Sequence, residues 1–178
     1  MGKADNIFLI GPMGSGKTTV GRQLAVQLKK RFVDADQEIE KRTGVSIPTI
    51  FDIEGEDGFR AREAAVIDEL SHGQDIVLAT GGGAVLKPEN RAALAERGTV
   101  VYLQADPETL FERTRRDRNR PLLQTVDPRG RIVELMRARE PLYLELADIV
   151  VETGQRSPAS VARDIAGRLK QLHAHEYP

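Results

Sequence analysis

Apolar residues run along this chain in short unbroken stretches rather than in alternation: Ile7 to Ile10, Phe32 to Val33, Ile76 to Ala79, Val100 to Leu103 and Ile149 to Val151, mostly β-branched. A strand with one wet face alternates apolar and polar side chains. A continuous run predicts a strand covered on both faces, as in a parallel sheet between two layers of helices. Longer stretches rich in Ala, Leu, Glu and Arg separate the runs, which predicts a repeated strand-helix-strand rhythm with right-handed crossovers. Proline marks where helices begin. Lys87-Pro88, Asp106-Pro107, Asp127-Pro128 and Ser157-Pro158 each place it where a first-turn N–H has no partner to lose, and Asp106, Asp127 and Ser157 can cap the new helix.

Composition narrows the class. The 178 residues are 40% hydrophobic and 30% charged, and no repeat, low-complexity tract or linker divides them, so one domain spanning 1–178 is expected. A formal net charge of −1 gives no general attraction to nucleic acid or to an anionic membrane, so any bound anion must be held by local groups. The absence of cysteine excludes disulfides and thiolate metal sites, and His72, His173 and His175 are too scattered for a metal site. The opening MGKADN lacks an apolar export segment, and Asn6 stands where a myristoylation signal wants Ser or Thr. The expected location is the cytoplasm, the expected state a monomer, and no nucleic-acid or membrane partner is expected.

The stretch IFLIGPMGSGKTTVGRQLA carries the first specific chemistry. Gly11, Gly16, Lys17 and Thr18 fit G-x-x-x-x-G-K-[ST], with an apolar strand before and an amphipathic helix after. Glycines at 11, 14 and 16 let backbone N–H groups turn inward around an anion, and the helix beginning near Lys17 adds its positive end. The Lys17 ammonium reaches the outer phosphates and Thr18 offers its hydroxyl to Mg²⁺. Gly14, Ser15, Gly16, Lys17, Thr18 and Thr19 are therefore the candidate ATP contacts. A nucleotide-binding loop alone leaves three classes open: a switch GTPase, a motor or regulatory ATPase, and a small-molecule kinase. No guanine-reading Asn-Lys-x-Asp occurs, and the third strand ends in Thr80 and Gly81 to Gly83, where a motor would carry an acid.

Asp34 and Asp36 supply the missing carboxylates. Placed two apart at the end of the second strand, they are expected to share a face and to emerge on the phosphate side of the sheet. Asp34 then serves Mg²⁺, and Asp36 orients an acceptor hydroxyl or takes its proton. Helix capping is the rival role, because Asp34 with Gln37 three residues on resembles a capping box.

Taken together, GPMGSGKTTVGRQLA, DADQEIE, FDIEGEDGFRARE, LATGGG, RPLL and RAREPLY stand in the order and spacing of shikimate kinase. From about Ile7 to Pro158 the chain resembles that family of P-loop enzymes, which phosphorylate the 3-hydroxyl of shikimate on the way to chorismate. The resemblance implies an α/β P-loop fold with a five-stranded parallel sheet in the order 2-3-1-4-5, an acceptor-binding segment at about 36–73 and a lid at about 113–126. It implies Asp36 as base and acceptor contact, Asp34 on the magnesium side, and Arg60 and Arg139 as clamps on the acceptor carboxylate, where a guanidinium fork suits a planar anion. Gly81, Gly82 and Gly83 match the family's substrate loop, in which bare backbone approaches the ring. Arg120 matches the arginine that covers the γ-phosphate, and Arg113 and Arg156 match positions near the base.

Each assignment has an ordinary rival. Arg60 and Arg139 can be solvated helix-face arginines, and the glycines a tight turn. The run ERTRRDRNRPLL, with Arg113, Arg115, Arg116, Arg118 and Arg120, is by default a solvated helix end. A gluconate-type kinase shares the loop and the size, but does not call for the Asp pair together with both Arg60 and Arg139. A nucleoside monophosphate kinase needs a base pocket for which Glu38 to Gly73 is short. A non-catalytic P-loop regulator would bind ATP and survive loss of Asp36.

Overall fold

The structure is a computed structural model and describes residues 5–117 and 119–176. The N-terminal residues 1–4, whose expected lack of a targeting signal was noted above, and Arg118 of the arginine run lie outside the described residues. Five strands, β1 (Ile7–Ile10), β2 (Arg31–Asp34), β3 (Ile76–Ala79), β4 (Thr99–Gln104) and β5 (Ile149–Glu152), form one sheet in the order β2-β3-β1-β4-β5, every neighbour parallel. The helices are α1 (Lys17–Leu28), α2 (Ala35–Thr43), α3 (Ile47–Ser71), α4 (Pro88–Arg97), α5 (Pro107–Thr114), α6 (Pro128–Leu146) and α7 (Pro158–Glu176).

The unbroken apolar runs are explained by the two cores they feed. Ile7 and Leu9 of β1 pack with Val20 and Leu24 of α1 and Ile165 of α7 on one face, while Phe8 and Ile10 pack with Ile67 of α3, Leu94 of α4 and Tyr143 of α6 on the other. Strand β2 is one of the two edges, with Arg31 exposed and Phe32 to Asp34 half-buried, and its apolar run is the shortest. All four X-Pro pairs open helices. The carboxylates of Asp106 and Asp127 accept from Thr109 N and Gly130 N at 2.8 and 3.1 Å, and the Ser157 hydroxyl accepts from Ser160 N at 3.1 Å.

Helix α3 is bent. Gly55 adopts φ 72°, ψ 179° inside it, and across that break Arg62 forks onto Glu54 at 2.6 and 2.8 Å. Because all five strands run the same way, the loops that follow them collect along one rim. The segments carrying Gly14, Asp36, Gly81 to Gly83 and Arg120 all start from that rim.

Candidate active site

Gly11, Gly14 and Gly16 all have positive φ, and a Cβ on Gly11 would stand 2.6 Å from the Leu103 carbonyl oxygen. Only glycine allows the loop after β1 to curl this tightly under β4. The Lys17 side chain folds back over that loop, and its Nζ donates to the carbonyls of Gly11 and Pro12 at 2.6 and 2.8 Å. Burial, with Arg120 adding repulsion, lowers the ammonium to about 7, against the pull of Asp36 and Asp34.

A cavity of about 270 Å³ lies beside the loop, walled by Gly14, Gly16, Lys17, Thr18 and Thr19 and closed by Asp34, Asp36, Arg113 and Arg120. Ser15 is the exception among the expected loop contacts. Its side chain is fully buried behind the loop, and its N–H donates to Pro12 at 3.2 Å.

Asp34 fills two roles at once: Oδ1 accepts from Gln37 N at 3.1 Å, capping α2, and Oδ2 accepts from the Thr18 hydroxyl at 2.6 Å. That cap corrects one expectation. The two carboxylates do not share a strand face, because the Asp34 cap ends β2 and starts α2 at Ala35, so Asp36 stands in the first helical turn. The turn still aims Asp36 at the rim. Its Oδ1 is buried without a hydrogen-bond partner, and burial first, then Glu63 and Asp34, raise the carboxyl to about 7, with Lys17 and Arg120 opposing.

A second, smaller cavity adjoins the first and is lined by Arg60, Glu63, Gly83, Arg139 and the rings of Phe51 and Phe59. Asp36, Arg120, Gly81 and Gly82 line both cavities. Arg60 and Arg139 are 8% and 4% exposed, which removes the solvated-face reading. Arg60 Nη1 donates to Glu63 Oε1 at 2.9 Å while its Nε stays buried and unpartnered, and no ion pair of Arg139 occurs among the described residues.

The glycine run serves a purpose not foreseen in the sequence. A Cβ on Gly81 would meet Glu63 Oε2 at 2.8 Å and Asp36 Oδ1 at 2.9 Å, and one on Gly83 would run into the Arg60 guanidinium. The missing side chains make room for the site's own charged groups. Gly83→Ala should therefore displace Arg60 and raise the acceptor KM about tenfold with the ATP KM unchanged, since a charge-assisted contact contributes roughly 1.5–3 kcal/mol. Steady-state kinetics with each substrate varied in turn checks this.

The arginine run divides. Arg120 faces both cavities, its Nε paired with Asp117 at 3.0 Å. Arg113 ties the loop after β1 to the loop after β5, donating to Gly14 O at 3.0 Å and Gly154 O at 2.6 Å. Arg115 and Arg116 are exposed. Arg156 does not line the nucleotide cavity: it pairs with Asp164 of α7 at 2.9 Å and donates to Glu152 O at 3.2 Å.

Glu63, Tyr143 and the Phe51–Phe59 pair were not singled out from the sequence. Glu63 follows Arg60 by three and Tyr143 follows Arg139 by four, spacings that put each on its arginine's helix face and were the available signal.

The family model for shikimate kinase matches residues 13–170. A shikimate kinase of Nitrosospira multiformis is 60% identical over 164 residues, covering 92% of this chain and 84% of that one. One of Methylococcus capsulatus is 61% identical over 160 residues, covering 90% and 89%. The solved shikimate kinase from Acinetobacter baumannii in complex with shikimate superposes with a TM-score of 0.93 at 47% identity, covering 98% and 96%. A gluconokinase from Sinorhizobium meliloti, at 18% identity and a TM-score of 0.61 over 98% and 96% of the two chains, shares the fold alone.

Proposed function

The chain belongs to the shikimate kinase family, and from that premise we propose how its own residues carry the γ-phosphoryl group of ATP to the 3-hydroxyl of shikimate, giving shikimate 3-phosphate and ADP. The observation that carries the reading is Asp36, whose carboxylate lines the nucleotide cavity and the acceptor cavity alike.

Arg139 and Arg60 hold the shikimate carboxylate, and the aromatic wall of Phe51 and Phe59 takes the ring's apolar edge. The 3-hydroxyl then points at Asp36. Burial holds the Asp36 carboxyl well above the usual carboxylate range, at about 7, which brings a general base close to its working pH. As the hydroxyl oxygen bonds to the γ-phosphorus, its proton passes to the Asp36 carboxylate and the bond to the ADP oxygen breaks. Lys17 and Arg120, both on the nucleotide cavity, stabilise charge on the transferring group.

The Thr18 hydroxyl and Asp34 carboxylate, 2.6 Å apart, are a hard-oxygen pair that fits Mg²⁺, an ion that keeps several waters and takes its remaining ligands from phosphates. Bound there, it would neutralise charge on the phosphate oxygens. The acceptor-binding segment at 36–73 and the lid at 113–126 close over the substrates and keep water from taking the phosphoryl group.

We further propose a cytoplasmic monomer that binds neither nucleic acid nor membrane. The net charge of −1 offers no general attraction to a polyanion, and among the described residues no helix is long and apolar enough to cross a membrane.

A coupled assay with ATP, Mg²⁺ and shikimate, with gluconate as control, tests the function: turnover on gluconate and none on shikimate would overturn it. Arg139→Ala is expected to raise the shikimate KM about tenfold or more with little change in the ATP KM. An effect on ATP binding alone would show that the carboxylate is held elsewhere.

A further inference from the structure

One phenolic oxygen joins two parts of the acceptor cavity that come from distant stretches of chain. Tyr143 of α6 is fully buried, and its hydroxyl donates to the carbonyl of Gly82 in the loop after β3, 61 residues away in sequence, at 2.5 Å. Arg139, one helical turn earlier, stands on the same face of α6, lines the same small cavity as Tyr143 and interacts with its phenol. A tyrosine hydroxyl that donates once keeps acceptor capacity, so the atom bound to Gly82 is free to take a guanidinium N–H as well. Arg139 Nη1 in turn lies 3.5 Å from where a Gly82 Cβ would sit, so loop and guanidinium are in close register.

The phenol is itself held from behind. Tyr143 stacks on Tyr102 of β4 with ring centroids 4.9 Å apart and planes at 23°. The Tyr102 hydroxyl donates to Glu140, whose other oxygen accepts from Gln104 Nε2 at 3.0 Å. Two rings and a carboxylate anchored on the central sheet thus leave the Tyr143 hydroxyl little freedom. Burial pushes the Tyr143 phenol up to about 12, so it stays protonated and keeps donating to Gly82 over any ordinary pH range.

We propose that Tyr143 is a positioning residue for acceptor binding: through one hydroxyl it fixes the Arg139 guanidinium against the Gly81–Gly83 loop, setting the distance between the carboxylate clamp and Asp36. The inference rests on the reading of Arg139 as that clamp. Packing alone does not need the hydroxyl, because a phenylalanine ring fills the same space and keeps the stack on Tyr102.

The test compares Tyr143→Phe, Tyr102→Phe and Arg139→Ala by steady-state kinetics, with thermal melting of each. Tyr143→Phe is expected to keep its melting temperature within a few degrees and raise the shikimate KM about fivefold to tenfold, leaving kcat and the ATP KM nearly unchanged. Its effect should shrink in the Arg139→Ala background, because the two groups act through one contact. Tyr102→Phe, which keeps the stacked ring and loses only the link to Glu140, should raise the shikimate KM by clearly less than Tyr143→Phe does. An unchanged shikimate KM in Tyr143→Phe, a uniform loss across kcat and both KM values with a lowered melting temperature, or the same KM rise in Tyr102→Phe would each overturn the positioning role. So would an undiminished effect in the Arg139→Ala background. If Arg139→Ala itself leaves the shikimate KM unchanged, the clamp fails rather than the junction alone.

Discussion

Asp36→Asn is expected to lower kcat by about 10²-fold or more while ATP affinity stays nearly unchanged. Asparagine matches aspartate in shape, so the cavities on either side of the residue keep their walls and the acceptor still meets a hydrogen-bonding group. The amide cannot accept the hydroxyl proton. It also removes a negative charge that faces Lys17 and Arg120 and supports the Lys17 ammonium, so any effect on nucleotide binding should come through Lys17 and stay small. The decisive comparison is single-turnover rate against ATP binding measured by titration calorimetry. A variant that turns over at near the parent rate would take Asp36 out of the chemistry and leave the doubly lined wall without a base.

Lys17→Ala is expected to weaken ATP binding and slow turnover together, the rate by about 10²-fold, because the ammonium contacts the phosphates both before and during transfer. Two of its protons go to the carbonyls of Gly11 and Pro12, which leaves a third for a phosphate oxygen. Removing the side chain therefore also frees two carbonyls in the loop, and melting curves must accompany the kinetics. If nucleotide affinity were kept and only kcat fell, the lysine would act on the transition state alone. If both were kept, the cavity beside this loop would not be the phosphate site.

The parts of this fold that were legible in the sequence are those fixed by neighbours along the chain. An unbroken run such as Ile76 to Ala79 needs only its own composition to declare a strand covered on both faces, and Asp106-Pro107 or Ser157-Pro158 needs only the local helix to make sense. The nucleotide loop belongs to the same class, since Gly11, Gly14, Gly16 and Lys17 act within seven residues of one another. The aspartate pair was legible as two carboxylates at the end of β2 but not in its geometry. Whether Asp36 continues β2 or enters α2 depends on Asp34 capturing the Gln37 N–H, a competition between two short-range options that spacing alone does not resolve.

What the sequence concealed is what depends on approach in space. Gly81 to Gly83 announced a need for room, but their true neighbours are Asp36, Glu63 and Arg60, which arrive from two other segments. Arg156 gave no sign in the sequence of its partner Asp164, which comes from α7. Glu63 gave no sign of being a fully buried acid, because burial there is set by the packing of α3 on the sheet.

The break in α3 bears on how the acceptor cavity is walled. The panel Ile47–Glu54 carries Ile47 and Phe51 onto the acceptor cavity, and it meets the rest of the helix through the torsions of Gly55, the Phe51–Phe59 ring contact and the Glu54–Arg62 fork. Arg60 and Glu63 lie on the far side of that glycine. One helix thus furnishes the cavity with two unlike walls, a greasy one before the glycine and a charged one after it, and the torsions of a single residue set the angle between them.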